Sequence, residues 1–195
     1  MKLKFNKQNN ITKGFTLIEL IVSIAIFAIM TSLLLSKYGN FNQGILLTNL
    51  AYDVALTIRN AQSYGLNVKS SDRASNLFDY PYGVHFDANN EVFTFFADVN
   101  SNGDYNNPGD TIVSDTRIKR GSQIGNLCLG TSVNCKPVSK LNIIFKRPDP
   151  NALFNAKTAA NADVTGNYAE ITLKANDGSI KVVVVRSTGQ IAVNN

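Results

Sequence analysis

Residues Lys13–Leu20 read KGFTLIEL and join a lysine-bearing leader to the longest apolar run in the chain. That run, Phe15–Leu35 (FTLIELIVSIAIFAIMTSLLL), contains a single carboxylate, Glu19, near its start. At helical rise it spans about 31 Å, close to the hydrocarbon thickness of a bilayer. A buried core helix of that length would show a polar stripe. Here the polar residues are only Thr16, Glu19, Ser23, Thr31 and Ser32, so the run reads as a membrane helix. A charge at the centre of such a helix costs about 2.5–3.5 kcal/mol, so Glu19 requires a reason.

Most of the formal net charge of +5 belongs to the leader. Lys2, Lys4, Lys7 and Lys13 are four of nineteen basic side chains, and beyond Gly14 fifteen bases face fourteen acids, a net of +1. The lysines predict a cytoplasmic leader. The bulk charge gives no reason to expect a nucleic-acid partner. An ordinary secretory signal would have a shorter apolar region and a small-residue cleavage site, and SLLLSKYGN (Ser32–Asn40) offers none.

No proline occurs between Phe15 and Gly65, and helical periodicity continues past the apolar run. Ile45, Leu46, Leu50, Val54, Ile58 and Ala61 recur at three- and four-residue spacing, predicting an amphipathic helix with one packed face. Gly65 reads as its stop, and Gly39 and Gly44 as a bend, fray or short break. From about Leu77 the texture changes to short strands. YGVHF and EVFTFFA, joined by DANN, form a hairpin signal. TIVSDTRIK, QIGNLCLG and LNIIFKR follow, and Tyr168–Val193 reads as a three-strand meander with turns at NDG and TGQ. FNAKTAANADVTGN (Phe154–Asn167) reads as a polar loop. The expected fold class is α+β, a long N-terminal helix packed on an antiparallel sheet or sandwich head. The expected divisions are a leader over 1–14, a membrane or filament-core helix over 15–35, its amphipathic continuation over 36–66 and a β-rich head over 67–195.

KGFTLIEL followed by an unbroken apolar helix resembles the N-terminal signal of type IV pilins and of the pseudopilins of type II secretion. The resemblance implies cutting by a prepilin peptidase between Gly14 and Phe15 on the cytoplasmic side, with methylation of the new Phe15 amine. The apolar run is then kept. Glu19 becomes the fifth residue of the product, where it can neutralise the Phe15 amine of a neighbouring subunit, so that both charges lose their penalty and the stagger is fixed. Without that context Glu19 would read as an interfacial residue snorkelling to headgroups. NLAYDVALTIRNAQSYGLNV (Asn49–Val68) and the closing ITLKANDGSIKVVVVRSTGQIAV look like the minor-subunit group that includes pseudopilin H. The helix-kinking proline frequent in major pilins is missing. Implied partners are the peptidase and methyltransferase, other pilin or pseudopilin subunits, an inner-membrane assembly platform and membrane lipid. The implied location is a single-pass inner membrane protein with its head outside the cytoplasm, and later a pilus or pseudopilus.

The loop DVNSNGDYNNPGD places oxygen-bearing side chains at Asp98, Asn100, Asn102, Asp104 and Asn106, with Gly103 sixth as in a calcium loop. Its twelfth position is Gly109, with Asp110 one residue late, so calcium held by Asp98, Asn100, Asn102, Asp104 and Asp110 competes with a turn-only reading. Cys128 and Cys135 enclose a short loop, and an exported head predicts a disulfide between them. A metal site would need more than this pair and a distant His85, which alternates with Val84 and Phe86 as a surface or packing residue. Lys146 and Arg147, with Arg117, Lys119 and Arg120, could form a basic patch for DNA, but the near-neutral remainder of the chain favours solvated strand ends. There is no G-x-S-x-G, phosphate loop or Cys–His–acid set, so no enzyme is expected. The chain reads as a structural minor pilin or pseudopilin, the alternative being a pilus-associated module whose head binds DNA or another ligand.

Overall fold

The computed structural model describes residues 14–67, 80–106, 108–118 and 121–194, with the side chains of 36–42 also outside that set. The leader lysines, Lys119 and Arg120 therefore lie outside the described residues. Thr16 starts the helix: its Oγ1 accepts a hydrogen bond from Glu19 N at 3.3 Å, and Leu20 N opens the helical ladder on Thr16 O at 3.2 Å. From there α1 (Leu17–Leu66) is assigned as one α-helix of 50 residues. The break or fray expected at Gly39 and Gly44 is not there. Each glycine costs about 1 kcal/mol in a helix, but unlike proline it removes no hydrogen bond.

The chain divides into two compact units, Met1–Phe41 and Asn42–Asn195. In the first, the side chains of Leu17–Leu35 pack on nothing, and no part of that segment is buried. Two of its hydroxyls turn back onto the helix: Ser23 Oγ donates to Glu19 O at 2.7 Å, and Thr31 Oγ1 donates to Phe27 O at 2.9 Å.

In the second unit the helix buries Leu47, Ala51, Val54, Ile58 and Ala61 at alternating four- and three-residue steps. This corrects the expected stripe: Ile45 is exposed, and Leu50 only flanks the core. Gly65 has a different role from a helix stop. The helix runs one residue past it, and a Cβ there would meet Phe145 O at 2.4 Å, so the residue permits close approach to a strand.

Two antiparallel sheets complete this unit. The first contains β1 (Tyr82–Asp87), β2 (Val92–Ala97), β3 (Thr111–Arg117), β6 (Lys140–Phe145), β7 (Ala152–Lys157) and β8 (Asp163–Val164). Its order is β3-β2-β1-β6-β7-β8. The second contains β4 (Ser122–Gly130), β5 (Cys135–Val138), β9 (Tyr168–Ala175), β10 (Ile180–Arg186) and β11 (Ile191–Asn194), in the order β11-β10-β9-β4-β5. The β1–β2 hairpin and the β9–β10–β11 meander stand where the sequence predicts them. The fold is α+β, and the inner faces of both sheets join the helix stripe in one core. Phe154–Asn167 is not a simple loop, because β7 and β8 lie at its start and middle. Their inward residues include Ala152 and Ala156, too small to give strand-like hydrophobic alternation.

Ile58 is fully buried between these layers, whereas Leu56 on the same helix is 59% exposed. Ile58→Ala is expected to lower stability by about 2–5 kcal/mol. Leu56→Ala should stay within about 0.5 kcal/mol. Urea denaturation of the full chain in detergent measures both.

Candidate functional site

Gly14 precedes the helix in open space. A Cβ built on it meets nothing within 4 Å, and its φ is not left-handed, so the fold itself makes no demand for glycine here. Phe15 follows with 81% of its surface exposed. Glu19 occupies the third helical position, where its negative charge is favoured by the helix N-terminus by about 0.3–1 kcal/mol. Its backbone N–H is capped by Thr16, but among the described residues its carboxylate has no hydrogen-bond or ion-pair partner. Thr16, Ser23 and Thr31 all engage their hydroxyls within the helix, which leaves Glu19 as the one carboxylate of the apolar segment, without a partner among the described residues.

This segment is also where a known family is found. Residues 9–35 match the family model described as the prokaryotic N-terminal methylation motif. The chain carries a prepilin-type N-terminal segment. The match ends at Leu35, where the span long and apolar enough to cross a membrane, Leu17–Leu35, also ends. No curated protein and no solved structure matches the chain.

In the head, the 98–110 loop folds back over the outer face of the six-stranded sheet. Asp98 Oδ2 accepts Gly103 N at 2.9 Å and its Oδ1 accepts Asn102 N at 3.2 Å. Asp110 accepts Val99 N and Asn106 N at 3.0 and 2.9 Å. Asn100 and Asn102 accept the next-but-one amides, as Asx-turns do. Burial pushes the Asp98 carboxyl above its ordinary range, against the opposing pull of Gly103 N–H. Asp104 instead reaches out of the loop: Asn142 Nδ2 donates to one oxygen at 2.8 Å and Lys157 Nζ to the other at 3.1 Å. That hydrogen bond holds the Lys157 ammonium above its usual pKa. The carboxylates thus serve backbone amides and a lysine. A calcium ion held by Asp98, Asn100, Asn102, Asp104 and Asp110 would have to share Asp104 with Asn142 and Lys157.

His85 is more than a strand-packing residue. It is buried beneath this loop, its ring centroid 4.9 Å from that of Tyr105. Nδ1 lies 2.6 Å from Asn142 Oδ1, and Nε2 lies 3.3 Å from Asp87 Oδ2. Because Asn142 Nδ2 is committed to Asp104, its oxygen faces His85 Nδ1, while Nε2 faces the Asp87 carboxylate. Asn142 therefore links the loop to the sheet floor. Sequence reading missed this role because the partners come from β6 and β7, 38 to 57 residues away.

Among the described residues, Arg117 and Lys146 do not come together. Arg117 ends β3 opposite Val92, whereas Lys146 follows β6 at the other end of the same sheet, beyond the Tyr82–Phe145 pair. Lys140 and Lys157 sit in register between Asp87 and Asp163. Arg186 lies over the Tyr168 ring at 5.5 Å. Cys128 and Cys135 form a disulfide across the β4–β5 hairpin, with Cα atoms 5.5 Å apart.

Asp104→Ala removes the tie between loop and sheet. Losing a charge-assisted hydrogen bond of about 1.5–3 kcal/mol should speed hydrogen exchange of the 102–106 amides by roughly ten- to a hundredfold. Exchange in β9 and β10 should be unchanged.

Proposed function

We propose that this protein is a structural subunit of a type IV pilus or type II secretion pseudopilus, of the minor, pseudopilin H-like kind. The observation that carries the reading is Glu19, a carboxylate without a described partner at the start of an apolar helix that carries the N-terminal methylation motif. The leader is cut after Gly14 by a prepilin peptidase, and Phe15 becomes the methylated N-terminus. In the membrane the helix anchors the head on the far side. In the filament the helix leaves lipid for a core of neighbouring helices, and Glu19 neutralises the Phe15 amine of an adjacent subunit. A stagger that misplaces this pair strands two charges in an apolar medium, so the pair selects one register.

Several features of the chain support the parts of this reading. Gly14 has no structural duty in the folded chain, which suits a residue chosen to enter an enzyme's cleft. Ser23 and Thr31 add no unsatisfied groups to a filament core. The separation of Arg117 from Lys146 favours the structural role over a DNA-binding head.

The test is incorporation into filaments with the full set of partner subunits. Glu19→Gln should be cut and inserted normally, yet incorporate more than tenfold less, because it leaves the neighbouring amine uncompensated at a cost of several kcal/mol. Equal incorporation would refute the pairing. Gly14→Leu should abolish cutting while leaving head stability unchanged, as read by immunoblot mobility and thermal melting.

A further inference from the structure

The cysteine pair by itself is too few ligands for a metal, but the fold supplies a third. Glu170 on β9 is the direct register partner of Cys128 on β4, and β5 brings Cys135 from the other side. The ligand atoms of Cys128, Cys135 and Glu170 all lie within 4.8 Å of one another. Glu170 Oε2 is 3.5 Å from Cys128 Sγ, a contact without a hydrogen bond while the sulfur is in the disulfide. Its other oxygen, Oε1, accepts the Tyr168 hydroxyl at 2.5 Å, which fixes the carboxylate with Oε2 turned to the sulfur. A cavity of about 390 Å³ opens over the three groups, lined also by Asn126, Pro137 and Thr172.

We propose that reduction of the Cys128–Cys135 disulfide converts this cluster into a site for a soft divalent metal ion of the zinc class. A dithiol or phosphine reductant supplies two electrons to the S–S bond. The sulfurs each take a proton, and the reductant is left as a disulfide or, after water attack, a phosphine oxide. Metal binding then releases both thiol protons and forms two metal–sulfur bonds and one metal–oxygen bond to Glu170. Two thiolates and a carboxylate suit tetrahedral zinc, and the fourth position, taken by water, faces the cavity. In a tetrahedral site the sulfurs stand roughly 3.8 Å apart, within reach of side chains on strands already paired. Tyr168 acts as a positioning residue through its hydrogen bond to Glu170. The hairpin is stapled by a disulfide when oxidised and by a metal when reduced. This holds independently of the filament reading.

The full chain in detergent micelles is reduced with a phosphine, freed of reductant without oxygen, and titrated with cobalt(II). One cobalt per chain is expected, with thiolate-to-cobalt charge-transfer absorption and the visible bands of a tetrahedral ion. The oxidised chain should show neither. Glu170→Gln should keep the charge-transfer band but bind at least about tenfold more weakly, and Tyr168→Phe should bind about tenfold more weakly. A reduced wild-type chain without the charge-transfer band would overturn the proposal. Equal affinities for wild type and Glu170→Gln would do so as well.

Discussion

A bare apolar helix of nineteen residues does not stay in water, and a carboxylate does not stay alone in lipid. Leu17–Leu35 imposes both conditions on one element. Among the described residues nothing covers its hydrophobic surface. On the reading proposed above, Glu19 turns a general need for an apolar environment into a need for one with a positive charge at a defined height. On the proposed reading that charge is the amine created by cutting after Gly14, so processing and assembly are two stages of one electrostatic requirement.

The head solves a different problem with the same helix. Beyond Asn42 the sequence changes from apolar all round to a single stripe, and Leu47, Ala51, Val54, Ile58 and Ala61 join two sheets in one core. Small residues set the fit: Ala51 and Ala61 lie in the stripe, and Gly65 lets the helix end reach Phe145. The helix is tied down further where Gln62 Nε2 donates to Pro150 O and Gly189 O at 3.0 and 3.2 Å. On the opposite face of the first sheet the 98–110 loop covers His85 and Phe96 and is held by Asp104.

Local physics made much of this legible. The apolar run, aromatic strands such as Phe93–Ala97, and the strand-and-turn pattern of Tyr168–Val193 each carry their signal in local sequence. What escaped depends on long-range pairing or on small side chains. The alanines of β7 leave no hydrophobic period, and the helix stripe shifted because Ala51 packs as fully as Val54. Gly65 signals a stop in sequence, whereas its neighbour in space is a carbonyl eighty residues away. The partners of Asp104, His85 and Cys128 lie on other strands, and only the register brings Asn142, Lys157 and Glu170 to them. The N-terminal motif was legible because it is linear: Lys13, Gly14, Phe15 and Glu19 lie within the single stretch, residues 9–35, that matches the methylation motif.

The most direct measurement is the N-terminus of the full chain after co-expression with a prepilin peptidase, read by intact and peptide mass spectrometry. The account predicts one product that begins at Phe15, carries a methyl group on its amine and retains the whole apolar helix. A chain left uncut at Gly14, or cut beyond Leu35, would contradict it, because Glu19 would then have no amine to neutralise.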